Sequence, residues 1–224
     1  GHTVVNKGLV QFTLVQLMAL PFFQRTGDAG LAQQPLAIQV LIGLLAAEFG
    51  LYWVHRWSHE WQLLWRFHAV HHSVRRLWLV NTGRFHFIDS NLSVLASLPF
   101  LLLSGISLDA IVWVSAITAY IGILTHCNVA TRCGVLNYVF NTPNLHRWHH
   151  STVTAEGNNN YGQNLLLWDQ LFGTFYLRSD AELAEIGITE RMPAQFLGQL
   201  AAPFAWHRYQ RRAILDRELG GELA

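Results

Sequence analysis

The chain has 224 residues, which suits one domain or one membrane bundle with a cap. Only 13% are charged and 51% are apolar, whereas soluble domains carry about a quarter charged residues, so the composition leans toward lipid. The net charge of +1 gives no nucleic-acid footprint, and two cysteines, Cys127 and Cys133, fit neither a disulfide framework nor a zinc ribbon and read as reduced thiols facing the cytosol.

No cleavable signal peptide is recognised, and a chain that starts at Gly1 rather than Met reads as a piece of a longer one. Four apolar segments then follow in order: Leu9 to Phe23, Pro35 to Trp57, Leu92 to Leu103 and Ile106 to His126. A helix needs about 20 apolar residues to cross a bilayer, which the second and fourth supply; the first and third are short. If all four cross, Arg25 lies alone on one side and the other fourteen of the fifteen Lys and Arg lie opposite. That asymmetry predicts four crossings with both termini cytoplasmic and every histidine on the cytoplasmic side or at its membrane boundary. The predicted fold is therefore an all-α, integral-membrane bundle of about four spans.

Trp53, Trp57, Trp61 and Trp65 recur every four residues where the second span should leave the bilayer, as an aromatic belt would. On an unbroken helix, His55 and His59 stand at about 200° and 240° from Trp53, whereas His68, His71 and His72 stand at about 60°, 0° and 100°. A shared site then requires a break between Glu60 and Arg66, although no proline or glycine occurs there. Residues 151 to 164 read as a polar loop, and the tail from about Pro193 reads as an amphipathic or peripheral helix.

Twelve histidines are the compositional outlier. His55 and His59, then His68, His71 and His72, then His146, His149 and His150 have spacings of three and four, which put imidazoles on one helix face within reach of a common metal. His86 and His126 stand singly at the ends of spans and raise the set to ten; His2 and His207 default to the surface. An all-imidazole set suits Fe, Zn, Cu or Ni, and ten ligands exceed what a closed structural zinc site uses. No bridging Glu-x-x-His pair is evident, so the expectation is two Fe ions held by neutral imidazoles, which Zn can replace on overexpression. Glu48, Asp89, Glu156 and Asp169 are candidates for outer acids that offset the metal charge.

The strings HRWSH, RFHAVHHS, NTGRFHF, NLHRWHHS and NNNYGQNLLLWDQLFGTF, spread over about residues 48–176 of a single 1–224 domain, resemble the fatty acid hydroxylase / sterol desaturase superfamily. The resemblance implies a four-span protein with a cytosolic helical cap that holds a dinuclear metal site. It implies O2-dependent hydroxylation, desaturation or ether cleavage of a lipid: sterol, carotenoid, fatty acyl chain or alkylglycerol. It also implies electrons from an NAD(P)H reductase through a b-type cytochrome or ferredoxin. Carried over by position, the ligands are the eight clustered histidines, with His86 and His126 as additions. Ala130 stands where some fatty acid 2-hydroxylase relatives carry a further histidine, a ligand that His86 would supply, as in the sterol-desaturase branch.

Two other classes compete. A membrane metal transporter or sensor places ionisable residues along its span interiors, and these spans are nearly free of them. A membrane zinc hydrolase needs a general-base Glu as in HExxH, which HRWSH lacks.

Overall fold

The structure, a computed structural model, describes residues 1–18, 30–129, 131, 133–178 and 185–220. Among these the regular elements are all helical, with two isolated bridge pairings, Phe140 with Leu165 and Ser151 with Ile186. The end of the first apolar segment, Arg25 and Ala130 lie outside the described residues.

Two helices are long and apolar enough to cross a membrane: α2, Leu36–Glu60, and α5, Leu108–Thr125. Helix α1, His2–Met18, and helix α4, Phe87–Leu103, have 17 residues each and begin ahead of the apolar runs that foretold them. Pro35 precedes α2 with its fixed φ. Ser107 caps α5 by accepting from the Ala110 N–H at 3.3 Å, with Asp109 in the first turn, where the helix dipole favours an acid. Only 17% of the apolar window of α5 is buried, and Val112, Trp113, Tyr120 and Ile123 face outward. A soluble core helix would bury that surface; an outward apolar face suits lipid.

The bundle core of Ala47, Leu101, Ile106, Ala110 and Val114 joins α2, α4 and α5. Helix α2 approaches its neighbours through glycines. A Cβ on Gly43 would press on Ile106 and Val114, and one on Gly50 would collide with the Ala96 carbonyl of α4.

The break after His59 is present. Helix α2 ends at Glu60, Trp61 is extended at φ −107° and ψ 118°, and α3 restarts at Gln62 and runs to His72. The Trp61 N–H still bonds the Trp57 carbonyl at 2.8 Å, so one residue makes the turn. The tryptophan row therefore does not continue as a single stripe. Trp53, Trp57 and Trp61 stay together, while the turn carries Trp65 round to His59 and His72.

The remaining elements close over this end of the bundle. They are α6, Pro143–His149; α7, Thr154–Gly157; α8, Leu167–Leu171; α9, Phe196–Ala201; and α10, Trp206–Gly220. Trp206 packs with Ile188 on Ala69 of α3. The expected polar loop at 151–164 is present, with α7 inside it.

Candidate metal centre

Nine of the ten singled-out histidines come together, in two adjacent groups. His55, His59, His68, His72 and His149 form one; His71, His126, His146 and His150 form the other. Within each group the ligand atoms lie within 4.8 Å of one another. The groups touch where His72 stacks on His150, with ring centroids 4.2 Å apart. Eight of the nine are buried, and His59 is half-buried.

Hydrogen bonds at the far ring nitrogens orient the first group. The Nδ1–H of His55 donates to the Tyr161 carbonyl at 2.6 Å, that of His59 to Asn158 Oδ1 at 3.2 Å and that of His149 to the Asn159 carbonyl at 2.8 Å. Their Nε2 atoms are left buried without a partner. His68 donates from Nδ1 to Asp89 at 2.9 Å, and its Nε2 faces the Nε2 of His72 at 3.1 Å.

In the second group His126 donates from Nδ1 to the Gly122 carbonyl at 2.8 Å, so its Nε2 carries a lone pair. That atom lies 3.3 Å from His71 Nε2 and 3.0 Å from His146 Nε2, and His146 Nε2 lies 3.2 Å from His150 Nε2. The Asn141 amide nitrogen lies 3.4 Å from His146 Nδ1, an arrangement that leaves His146 Nε2 as a donor to His126; with every Nε2 deprotonated, a shared cation would engage all four rings together. Ligands on one ion with metal–nitrogen bonds of about 2.1 Å stand about 3.0 to 3.4 Å apart at octahedral or tetrahedral angles. The observed separations match, and in the first group the orphaned Nε2 atoms of His55, His59 and His149 supply the rest, so each group can hold one metal.

Burial, reinforced by neighbouring imidazoles, holds His71, His72, His146, His149 and His150 well below the usual imidazole range. Burial brings His126 down to about 4. All six are therefore neutral at physiological pH, the form that binds metal.

His86 does not join either group. Its Nδ1 accepts the Ile88 N–H at 3.2 Å as the N-cap of α4, and its Nε2 donates to the Leu200 carbonyl at 3.2 Å. With both nitrogens engaged, it ties the start of α4 to the C-terminal segment. His2 is not at the surface either: it is buried between the Phe85 carbonyl and Gln199, at 2.9 and 2.7 Å.

Of the four acids, only Asp89 touches a histidine. Asp169 accepts from the Tyr161 and Gly162 N–H groups and from Thr174, and so fixes the peptide whose carbonyl orients His55. Its carboxyl is pushed up to about 6 by burial. Glu48 accepts from the backbone N–H groups of Gln163 and Asn164 and from the Asn164 side chain. Glu156 accepts from Ser151.

Helical spacing assigns no role to Asn158, Asn159, the Tyr161 carbonyl or Phe85, and it places Trp65 in the aromatic belt rather than against His59 and His72. Phe85 stacks on His71 at 4.0 Å, within 7° of parallel. The NNNYG string was the available signal: Asn160 sits at φ 56°, a left-handed conformation that Asn tolerates, which turns the segment back toward the histidines.

Two cavities flank the centre. One of about 250 Å³ is lined by His71, His126 and His146 together with Phe85, Val94 and Ala119. The other, of about 580 Å³, is polar and lined by His59, His72 and His149 with Glu60, Thr152 and Glu190.

The sequence profile described as fatty acid hydroxylase matches residues 40–174. The chain is 48% identical to ornithine lipid hydroxylase OlsE of Rhizobium tropici, over 97% of this chain and 68% of that protein. It is 32% and 31% identical to the alkylglycerol monooxygenases of Xenopus tropicalis and Danio rerio, over 58% and 75% of this chain but 29% and 37% of theirs. No solved structure matches.

Proposed function

The chain belongs to the fatty acid hydroxylase family and is an oxidoreductase; from that premise we propose that it hydroxylates an amino-acid-headed membrane lipid of the ornithine-lipid kind, using O2 at a di-iron centre. The observation that carries the reading is the pair of histidine groups, with ring nitrogens converging on two adjacent points. The substrate class rests on the 48% identity to a lipid hydroxylase over nearly the whole chain.

No side-chain acid or base removes hydrogen from a saturated carbon, so two iron ions bound there would supply the oxidant from O2 and external electrons. The chain's own residues orient and shelter. Asp89 and the carbonyls of Tyr161, Asn159 and Gly122 hold the imidazoles in the tautomer that binds metal. Phe85, Val94 and Ala119 offer a lipid a largely apolar cleft, and a lipid seated there would keep water from the centre. The polar cavity opposite gives O2, protons and water a separate way in. Four spans, a cap on the cytosolic side and a b-type cytochrome or ferredoxin as donor complete the proposal. The outward apolar face of α5 and the one-sided basic residues support it.

Iron-loaded protein in lipid nanodiscs, given a chemical reductant, isotopically labelled O2 and ornithine lipid, should add one labelled oxygen atom per lipid, read by mass spectrometry. Ornithine lipid left unmodified while an alkylglycerol is oxidised would reject the substrate class. No labelled product from any lipid would reject the oxygenase reading.

A further inference from the structure

A row of oxidisable rings leads away from the histidines. Tyr161 meets His55, His59 and His149 at centroid distances of 5.7, 5.3 and 5.9 Å. Tyr52 lies 6.0 Å beyond it, Trp53 5.4 Å from Tyr52, Trp57 5.7 Å further and Trp61 another 5.2 Å, stacked within 9°. Tyr52 is fully buried, while Trp57 and Trp61 are 37% and 53% exposed, so the row ends at the surface. Phe49 and Phe172 pack against its flank, yet no phenylalanine interrupts the row itself. An interfacial belt accounts for tryptophan at the outer end of the row but not for the fully buried Tyr52, and tyrosine and tryptophan are the side chains most easily oxidised by one electron.

Tyr52 also has somewhere to send a proton. Thr174 Oγ donates its single proton to Asp169 at 2.7 Å, so the Tyr52 hydroxyl, 3.0 Å from the same oxygen, is the donor to Thr174. The line Tyr52–Thr174–Asp169 can thus carry the phenolic proton and return it.

We propose that Tyr52, Trp53, Trp57 and Trp61 form a one-electron relay that reduces the metal centre when it has been oxidised with no lipid in the cleft. The relay rests on the oxygenase reading above for its oxidant. Tyr52 loses one electron to the centre through the Tyr161 ring, its proton moves to Thr174, and the proton of Thr174 moves to Asp169. Trp53 refills Tyr52, and the protons return along the same two hydrogen bonds. The missing electron passes outward to Trp57 and Trp61, each of which keeps its indole proton. A small external one-electron reductant of the ascorbate class then replaces it at the surface. The balance is one electron in from that reductant and one electron onto the centre, with no net proton moved.

The relay has a test that needs no metal. Azide radicals generated by pulse radiolysis oxidise tryptophan first. In metal-free full-length protein the tryptophan radical should decay into a tyrosyl radical, and Tyr52→Phe should cut the tyrosyl yield by more than half. Thr174→Val, which keeps every ring and cuts only the proton line, should do the same and serves if Tyr52→Phe does not fold. An unchanged yield in both variants overturns the relay. In a second arm, iron-loaded protein turns over O2 without lipid, and oxygen adducts are mapped by tandem mass spectrometry. Adducts on Trp57 and Trp61 that vanish in Tyr52→Phe support the relay. Adducts confined to Trp65, which touches His59 and His72 at 5.2 and 5.5 Å, overturn it in favour of a shorter path. If iron-loaded protein consumes no O2 with or without lipid, the oxygenase reading fails, and the metal-free arm still decides whether the row conducts.

Discussion

His68 lies 2.9 Å through Nδ1 from Asp89, and both side chains are buried, so the carboxylate decides which ring nitrogen is left for a metal. Asp89→Asn removes that anion while keeping the shape. Metal affinity should fall by about 10- to 100-fold, read by competition with a chelator, and an unchanged affinity would remove Asp89 from the site. His86 makes the opposite case. It caps α4 and holds Leu200, so His86→Ala should leave metal stoichiometry intact while stability drops by about 1 to 2 kcal/mol in thermal melts. Loss of one metal from folded His86→Ala protein would restore His86 as a ligand. Sequence position made His86 and His126 look alike, each a single histidine at a span end. What separates them is where their nitrogens point, which depends on Ile88, Leu200 and Gly122.

Among the elements, α2 ties the site to the bundle, since it carries His55 and His59 and packs on both α4 and α5. Its Gly50 sits against the Ala96 carbonyl. In a free helix interior Gly→Ala stabilises by about 0.5 to 1 kcal/mol. Here the added methyl has no room, so Gly50→Ala should instead lower stability by about 1 to 3 kcal/mol. A higher melting temperature for Gly50→Ala would contradict the close approach of α2 and α4. The turn at Trp61 was legible from helix angles, because histidines on opposite faces cannot share a site unless the chain bends. The fate of Trp65 was not, since the wheel says that a break exists and not how far the chain rotates across it. The short first and third apolar runs understated their helices for a related reason. Polar residues such as Asn6 and Asp89 extend α1 and α4 by bonding to Phe85 and His68, partners far away in sequence.

At the scale of the whole molecule, the neutral buried histidines set a pH limit. Unfolded imidazoles titrate near 6.5, while folded His126 stays neutral down to about 4 and five others are also held well below 6.5. Between those values the unfolded chain binds more protons, so stability is complete above pH 6.5 and is lost as pH falls toward 4. The melting temperature of metal-free protein should be level above that window and fall steeply within it. A level profile throughout would mean that the histidines are not buried as neutral groups. Topology is a second test at this scale. With Cys127 and Cys133 replaced by Ser, a cysteine at Gln34 should label from outside the cytoplasm and one at Ala155 from inside. Labelling of both from one face would exclude an odd number of crossings between them and, with it, the four-span arrangement.

The sequence by itself determined the helical class, the two membrane-length helices and the three clusters, because hydropathy runs and helical spacing are local properties. Spacing within a cluster did not say which of its histidines act together, since the three-residue pairs His68 with His71 and His146 with His149 are split between the groups. His55 with His59, His68 with His72, and His146 with His150 are each four residues apart, and each pair falls within one group. Tertiary structure alone decided how the pairs combine. The turn at Trp61 brings the first two pairs to one point and His149 joins them, while His71 crosses to His146 and His150 at the end of α6 and to His126. That choice is made by contacts between residues as distant as His55 and Tyr161, or His71 and His126, and no spacing within a helix encodes them.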